Sequence, residues 1–521
     1  MELSRRSFLG AATASAGLAA MAAITGCSSS NAKESEKSDA KDDAAAAKKA
    51  PDNIVETVDC DIVVVGSGAS GLAACVEAAQ GGASVVCLER NDFAGGNGNI
   101  TRCIFGIDSK MTKAEGVDVN PGEFVRMELE SSQCRGKGPA LVDLALRSGE
   151  NIDWLIDNGV EFECLEHGTA HSFTGAPAGG HDRYVTPMLA KCDELGVPIR
   201  LETCANALIQ DDSGKVVGVY AEGPDGTIQV NAKSVILAGG GFVENEAWMR
   251  DFGIDISKAI QLGNPGNDGT TIQMAIDAGG KSNLKNAGFQ LCMQVNGLPP
   301  YTAGAYMSST MGDSIPMAVW VDQDGKRFVN EDCCLDNWAM ADMTTMANDE
   351  TYLVWDNKTL DAFVDYIMAK DVPEEEVRAE FQQGIDTGEI VQAETIEDAA
   401  KAAGLDPDAL AETIAQYNEF TDAGVDKHYG KGEEFLWKIE NPPYSIIHSS
   451  HLVLCSFAGV STDMDYRVVR DTGEPVEGLY AVGNDGTMLW ASEYTIWMPG
   501  GTNACNIHSG RVAAQHAVKN V

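Results

Sequence analysis

Positive charge is scarce in this 521-residue chain, which carries 37 Lys and Arg against 78 Asp and Glu, a formal net charge of −41 at pH 7. That balance argues against nucleic acid and against an anionic membrane surface as partners. Cysteine motifs are also missing, because the 14 cysteines form no Cys-x-x-Cys pair and no Cys-x-x-Cys-His site. We therefore expect reduced, mostly buried thiols in an organism that lives without oxygen, and no haem attached to this chain.

Signatures of metal sites and of serine hydrolases are equally scarce. The 8 histidines are dispersed, and His448 and His451 form the closest pair in the sequence. No carboxylate cluster has metal-ligand spacing, and no nucleophile elbow is present. We interpret the histidine pair as ordinary polar residues and expect no metal.

The N-terminus lacks an uninterrupted apolar run, since Gly, Ser and Thr break the alanine-rich stretch Leu9–Ile24. Arg5 and Arg6 precede this stretch in a twin-arginine pattern, which predicts export of the folded protein. Ile-Thr-Gly-Cys ending at Cys27 matches a lipoprotein cleavage box, with cleavage without lipid as the alternative. We expect a signal over 1–27, a lipid anchor on the outer side of the cell membrane, and a flexible linker over 28–56.

A dinucleotide-binding turn follows the linker. Ile62–Val65 predicts a central parallel strand, and a helix from Leu72 to Gln80 and a second strand from Ser84 to Leu88 come next. Glu89 then lies about 20 residues beyond the turn, where a carboxylate can accept hydrogen bonds from ribose hydroxyls. The turn between the first strand and the helix has the spacing that lets a pyrophosphate approach the backbone, and its residues are Gly66, Gly68, Ala69, Ser70 and Gly71.

Three more glycine-rich stretches indicate which dinucleotide is bound. Arg90 and the loop 95–99 follow the second strand, a feature that nicotinamide sites generally lack. The stretches 234–241 and 478–484 are two further strands that run into glycines. Together these features favour FAD over NAD.

The ordered set of motifs from about Val58 to the C-terminus resembles the flavoprotein family of fumarate reductases and soluble flavocytochromes c. That family also holds urocanate reductases, ketosteroid Δ1-dehydrogenases and the digoxin reductase of gut bacteria. The resemblance extends to the stretches 266–269, 324–331 and 499–504. It implies that FAD is the cofactor and is contacted, beyond the turn, by Glu89, Arg90, Gly96, Asn97, Gly98, Asn99, Ala238, Gly239, Asp268, Gly483, Asn484, Thr502 and Asn503.

The fold implied is α/β, with a Rossmann-like FAD-binding domain interrupted by an α+β capping domain. The flavin motifs place the FAD-binding domain at 57–286 and 457–521, and the capping domain at 287–456. Helical patterns within the insert predict helices over Glu374–Gln383, Ile396–Ala403 and Pro407–Tyr417. Asp406 is the expected N-cap of the last of these helices.

The dicarboxylate reductases of the family hold their substrate with two histidines and two arginines, and this chain has lost all four. The matching positions are Cys292, Cys455, Leu335, and Met498 or Trp497. Such a pocket cannot pair with carboxylates, and burying carboxylates unpaired costs several kcal/mol. Fumarate is therefore a poor candidate substrate.

Aromatic side chains around those positions suit a flat, neutral, aromatic or polycyclic ligand. The alternative is that they only pack the domain interface. The residues concerned are Trp338, Trp490, Trp497, Tyr301, Tyr306, Phe289 and Met307.

Reduction of a C=C bond also requires a proton donor. Tyrosine has this role in the steroid dehydrogenases of the family, and its pKa near 10 suits an enol-like product. We expect Tyr494 to donate the proton, followed in order of preference by Tyr306, Tyr301 and Asp336, although each tyrosine could instead be structural.

The sequence thus predicts an exported FAD-dependent oxidoreductase that reduces an activated C=C bond of a small molecule in anaerobic respiration. A membrane-associated c-type haem protein is the expected electron donor, because nicotinamides are scarce outside cells. Dehydrogenation of a ketosteroid ring, reduction of fumarate or urocanate, and a flavin-binding lipoprotein without turnover remain as alternatives.

Overall fold

Strands and helices alternate along the part of the chain that the computed structural model describes, residues 51, 53–173, 181–295, 316–333, 347–368, 373–486, 489–491, 494 and 498–521. The strands are β1 (Ile54–Val65), β2 (Val85–Leu88), β3 (Cys103–Phe105), β4 (Cys164–Glu166), β5 (Ala170–Ser172), β6 (Ile199–Arg200), β7 (Cys204–Gln210), β8 (Val216–Gly223), β9 (Gly226–Leu237), β10 (Ile260–Gln261), β11 (Gly288–Val295), β12 (Val319–Asp322), β13 (Thr351–Trp355), β14 (Ile390–Ala393), β15 (Tyr444–Phe457), β16 (Arg467–Val469) and β17 (Pro475–Ala481).

The α-helices lie between these strands and at the C-terminus. They are α1 (Ala69–Gln80), α2 (Lys110–Ala114), α3 (Pro121–Ser131), α4 (Gly138–Asp157), α5 (Thr186–Glu194), α6 (Glu246–Asp251), α7 (Thr270–Asp277), α8 (Asn357–Met368), α9 (Glu374–Thr387), α10 (Ile396–Ala403), α11 (Pro407–Ala423) and α12 (Gly501–Val518). The mixture confirms the predicted α/β class.

The first sheet has the strand order β16-β17-β9-β1-β2-β6, and β8 and β7 extend it beside β9. Strands β17, β9, β1, β2 and β6 run parallel to one another. The β-branched run in β1 is buried on both faces: Ile62 and Val64 belong to one apolar core, and Val63 and Val65 to the other. Burial on both faces explains why this strand is a continuous apolar run rather than an alternating one.

A second sheet has the order β10-β15-β13-β12, with β11 and β14 also paired to β15. The 14-residue β15 is its longest strand among the described elements. A third, three-stranded sheet has the order β3-β5-β4. The predicted domain boundaries at 286/287 and 456/457 stay predictions.

The helices predicted over Glu374–Gln383, Ile396–Ala403 and Pro407–Tyr417 are confirmed. Helix α9 continues for about one turn beyond Gln383, to Thr387, and α11 continues beyond Tyr417 to Ala423. The Asp406 carboxylate accepts hydrogen bonds from the backbone N–H groups of Asp408 and Ala409, at 2.9 and 3.0 Å, as an N-cap does.

All cysteines in the described part of the chain are free thiols, but only five of them are buried. Five more are half-buried, and Cys134 is exposed, so the expectation of mostly buried thiols is only partly met. None of the described helices is both long and apolar enough to cross a bilayer.

Candidate active site

A groove lies at the carboxyl ends of β1, β2 and β9, where the strands of a parallel sheet meet the loops that bind ligands. It holds about 860 Å³ of empty space, its open mouth included. Its walls come from eight separate stretches of the chain. They are formed by Val65, Gly66, Gly68–Ser70, Leu88–Asn91, Gly96–Gly98, Thr203–Ala205, Ala238–Gly240, Pro265–Thr271, Asn484 and Asn506.

The turn between β1 and α1 has the backbone that a pyrophosphate site needs. Gly66 has φ +101°, and a Cβ on it would lie 2.4 Å from the carbonyl oxygen of Ala238. A Cβ on Gly71 would lie 1.9 Å from the carbonyl oxygen of Gly66, so this glycine lets α1 pack against the turn. A Cβ on Gly68 would enter open space in the groove, directly at the N-terminus of α1. The free N–H groups there favour an anion such as a phosphate.

Glu89 connects this turn to the end of β2. One carboxylate oxygen accepts hydrogen bonds from the backbone N–H and the hydroxyl of Ser67, at 3.0 and 2.6 Å. The other accepts from the backbone N–H of Asn91 at 2.9 Å. The side chain lines the groove although it is almost fully buried, so its remaining acceptor capacity would be available to the ribose hydroxyls of a bound dinucleotide.

The second glycine loop is held against the opposite wall by two asparagines. Asn97 accepts a hydrogen bond from the backbone N–H of Asn264 at 2.7 Å, and the Asn264 amide donates to the Gly96 carbonyl at 2.6 Å. The Asn97 amide also donates to the carbonyl of Leu454 in β15, at 3.3 Å. These bonds join the loop to the segment before α7 and to the second sheet.

An ion pair closes one rim of the groove. The Arg90 guanidinium lies 2.9 Å from a carboxylate oxygen of Asp268 and donates to the Gly266 carbonyl at 2.9 Å. The pair is about one-third exposed, so it contributes little to stability and is available to a ligand.

The glycines after β9 are held by an aspartate that we did not predict. The buried Asp485 carboxylate accepts from the backbone N–H groups of Gly239 and Gly241, at 2.7 and 2.9 Å, and from the Thr271 hydroxyl at 2.7 Å. Burial raises the pKa of Asp485, and these hydrogen bonds oppose the shift.

Most of the predicted cofactor residues line this groove, and five do not: Gly71, Asn99, Gly483, Thr502 and Asn503. Gly71 and Gly483 pack the turn from behind, since a Cβ on Gly483 would lie 2.6 Å from the Ser70 hydroxyl. Asn99 instead binds His181 Nδ1 at 2.7 Å, and Thr502 and Asn503 lie in the first turn of α12. Sequence reasoning missed Asp485, which lies behind the groove, and several polar residues that line it, namely Asn91, Thr203, Asn267, Thr271 and Asn506.

The groove fits a dinucleotide. It offers an open glycine at a helix N-terminus for the phosphates, a carboxylate for a ribose, and further glycines in its walls. The residues that would hold FAD are therefore Glu89 and the groove residues of the glycine-rich stretches 66–71, 95–99 and 239–241.

The segment expected to face the substrate forms an aromatic cluster. The Tyr494 ring is stacked on Phe457, with centroids 4.9 Å apart and planes at 16°, and meets the edge of Trp490 at 5.1 Å. The Trp490 indole N–H donates to the buried Glu128 carboxylate at 3.1 Å. Burial raises the pKa of Tyr494 above its ordinary value, so the phenol holds its proton.

Cys455 connects that cluster to the groove. Its thiol is buried and lies 3.6 Å from the side-chain oxygen of Gln290. Burial raises the pKa of Cys455 to about 12, and the neighbouring Asn484 of the groove wall opposes part of the shift. Met498 is buried beside Trp490, because a Cβ added to Gly501 would approach both side chains.

Several predicted site residues lie outside the described part of the chain. These are Tyr301, Tyr306, Leu335, Asp336 and Trp497, and the side chain of Cys292 also lies outside it. Within the described residues no group of three or more His, Cys, Asp or Glu side chains could hold a metal ion. His448 lies instead between the carboxylates of Glu350 and Glu389, at 2.7 and 2.9 Å.

Comparison with known proteins agrees with the assignment of the groove as an FAD site. Residues 61–504 match the model of the FAD binding domain family. The vinyl phenol reductase of Lactiplantibacillus plantarum is 29% identical over 88% of this chain and 96% of its own. The digoxin reductase of Eggerthella lenta is 26% identical over 92% of this chain and 91% of its own.

Among solved structures, the open conformation of a flavocytochrome c3 fumarate reductase has a TM-score of 0.70 and 22% identity. It covers 90% of this chain and 79% of its own. The chain therefore belongs to the FAD binding domain family and is a fumarate reductase-like, FAD-dependent oxidoreductase that acts on C=C bonds.

Proposed function

We propose that this protein reduces a C=C bond conjugated to the ring of a neutral aromatic or polycyclic molecule. The observation that carries the proposal is the cluster of uncharged rings that packs around Tyr494. Cys455 occupies a position where the dicarboxylate reductases have a histidine, and its buried thiol carries no charge at neutral pH. The described rings of the adjoining cluster, those of Phe457, Trp490 and Tyr494, pack against one another.

A flat aromatic ligand suits this apolar ring cluster better than a dicarboxylate does. Phe457, Trp490 and Tyr494 form an apolar cluster with centroid distances of 4.9 to 5.1 Å, and each of the three is less than one-tenth exposed. Aromatic ligands gain from offset-stacked or edge-on packing on such rings. A relative named as a vinyl phenol reductase supports the same substrate class, a vinyl group conjugated to a phenol ring.

The chemistry divides between cofactor and chain. When bound, FAD supplies the hydride that adds to one carbon of the double bond. Tyr494 holds a proton at its phenol oxygen and would donate it to the other carbon, so that one hydride and one proton together convert the double bond to a saturated C–C bond, and the tyrosinate then recovers a proton from solvent. Burial of the cluster excludes water from this step.

The electrons come from outside the cytoplasm in this proposal. The twin arginines Arg5 and Arg6 and the cleavage box at Cys27 support export and a lipid anchor, and a c-type haem protein of the membrane is the proposed donor. The organic molecule then acts as the terminal electron acceptor of an anaerobic respiration.

Steady-state turnover with a one-electron donor tests the reaction. Purified protein is incubated anaerobically with reduced methyl viologen and 4-vinylphenol, fumarate, urocanate or a steroid enone. We expect oxidation of the reduced methyl viologen together with reduction of 4-vinylphenol to 4-ethylphenol. Gly68→Val protein, which should lack FAD, is the control. Turnover of fumarate or urocanate, with no reduction of any neutral acceptor, would contradict the proposal.

A further inference from the structure

Asp485 is a carboxylate without a counter-cation in the described part of the chain. Its side chain is 0% exposed, and it takes part in none of the ion pairs there. A buried charge of this kind is costly unless hydrogen bonds compensate for it. We therefore expect the hydrogen bonds of Asp485 to have a specific role beside the cofactor groove.

Those bonds join three segments that form one wall of the groove. The carboxylate binds the N–H groups of Gly239 and Gly241 after β9 and the hydroxyl of Thr271 in α7. Its own backbone carbonyl accepts from the N–H of Val460, just beyond β15, at 2.8 Å. Asp485 therefore fixes the relative positions of these segments.

The loop that it holds contains left-handed glycines and depends on hydrogen bonds for its shape. Gly240 and Gly241 both have left-handed backbone, with φ +89° and +103°. Glycine loses more conformational freedom on ordering than any other residue, so two such glycines in succession need fixed partners. Gly239 and Gly240 line the groove, so any movement of this loop changes the surface that FAD contacts.

We propose that Asp485 is a positioning residue for the cofactor, holding the Gly239–Gly241 loop in the conformation that binds FAD. The carboxylate acts through the loop, since it does not itself line the groove. Loss of this anchor releases FAD from a protein that is otherwise folded. This inference concerns the cofactor alone and does not depend on which acceptor is reduced.

Asp485→Asn is the decisive variant. It preserves the volume of the side chain, but its amide nitrogen would face a backbone N–H donor, so at least one hydrogen bond is lost. Thr271→Val removes only the hydroxyl contact. Asp463→Asn is the matched control, because Asp463 also accepts from backbone N–H groups, those of Asp465 and Arg467 at 3.0 Å, away from the groove.

FAD release is followed by flavin fluorescence after dilution of each holoprotein, alongside far-UV circular dichroism and the visible absorbance of the bound flavin. We expect Asp485→Asn to release FAD at least about tenfold faster than wild type, because lost bonds to a charged group affect affinity on that scale. Its bound flavin should show an altered visible spectrum while its far-UV spectrum is unchanged. Thr271→Val should show a smaller effect, and Asp463→Asn none.

Three results would overturn the inference. The first is FAD release from folded Asp485→Asn protein at the wild-type rate. The second is equal acceleration in Asp463→Asn, which would indicate general loosening. The third is an Asp485→Asn chain that does not fold while folded Thr271→Val protein holds FAD as wild type does, which would make Asp485 a structural residue only.

Discussion

The phenol ring of Tyr494 lies nearly parallel to the ring of Phe457, with centroids 4.9 Å apart and planes at 16°. This stack fixes the ring of the expected proton donor without using its hydroxyl. The orientation of the ring is therefore set by packing, and the Thr502 side chain lies at its hydroxyl.

Tyr494→Phe should preserve the stack and remove the acid. We expect turnover to fall by about 10² to 10⁴, the usual cost of losing a positioned general acid. FAD content and melting temperature should stay at the wild-type level, because the ring and its packing remain. Steady-state rates with the best acceptor measure the effect.

Tyr444→Phe is the control for this experiment, since Tyr444 lies at the far end of the same strand that carries Phe457. It should retain wild-type turnover. If Tyr494→Phe turns over within about threefold of wild type, well inside the expected range, the acid is another residue, and Tyr306, Tyr301 and Asp336 are then tested in that order.

Gly68→Val should abolish FAD binding in a folded protein. A Cβ at this position meets nothing within 4 Å in the protein and points into the groove, so the side chain fills the phosphate position. Absorbance of the purified protein reports the flavin, and circular dichroism reports the fold. Full FAD occupancy in this variant would show that the FAD phosphates do not bind at Gly68.

Gly71→Val is the matched contrast, because its Cβ would lie 1.9 Å from a backbone oxygen. This variant should fail to fold rather than fold without flavin. The two glycines of one motif thus have separable roles.

His448 should make stability depend on pH. Its two ring nitrogens face the carboxylates of Glu350 and Glu389, and Lys258 lies 3.5 Å from Glu350. Burial lowers the pKa of His448, but the two carboxylates outweigh it and raise the pKa overall. The stabilisation is therefore fully present below the unfolded pKa of about 6.5 and is lost as pH rises through the folded pKa.

Chemical unfolding of wild type and of His448→Gln at several pH values tests this prediction. The difference in the free energy of unfolding should be largest in mildly acidic solution and shrink as the solution becomes alkaline. His428→Gln serves as a control, because the His428 ring packs edge-on against Phe420. A difference in the free energy of unfolding that grows as pH rises would contradict this prediction.

Export should depend on Arg5 and Arg6, and membrane retention on Cys27. Replacing both arginines with lysine should leave precursor in the cytoplasm, because the twin-arginine pathway reads the pair. Cys27→Ala should release or misprocess the protein, as shown by fractionation. A processed Cys27→Ala protein that still partitions with membranes would exclude the lipid anchor.

The cofactor turn could be predicted from sequence because its parts are local. Gly66, Gly68 and Gly71 lie within six residues, and Glu89 follows at a fixed spacing, so the pattern itself encodes the geometry. Asp485 could not be predicted, because its partner Gly239 lies 246 residues away in the chain. The preceding Gly483 and Asn484 predict that Asp485 lies in a loop, but they do not indicate which groups its carboxylate binds.

The exclusion of Asn99 from the groove has a similar cause. Its place in a glycine-rich loop suggested a cofactor contact, but His181, from a distant segment, takes up its side chain. Loop composition predicts that a loop binds a ligand, whereas tertiary contacts decide which side chains of the loop do so.

Oxidation of the reduced flavin in a single turnover tests the central claim most directly. Dithionite-reduced holoprotein is mixed anaerobically with 4-vinylphenol or with fumarate, and the return of flavin absorbance is timed. The neutral pocket predicts oxidation by 4-vinylphenol at least about 100-fold faster than by fumarate, since an unpaired buried carboxylate costs several kcal/mol. Comparable rates with fumarate and with the best neutral aromatic or polycyclic acceptor would contradict the account.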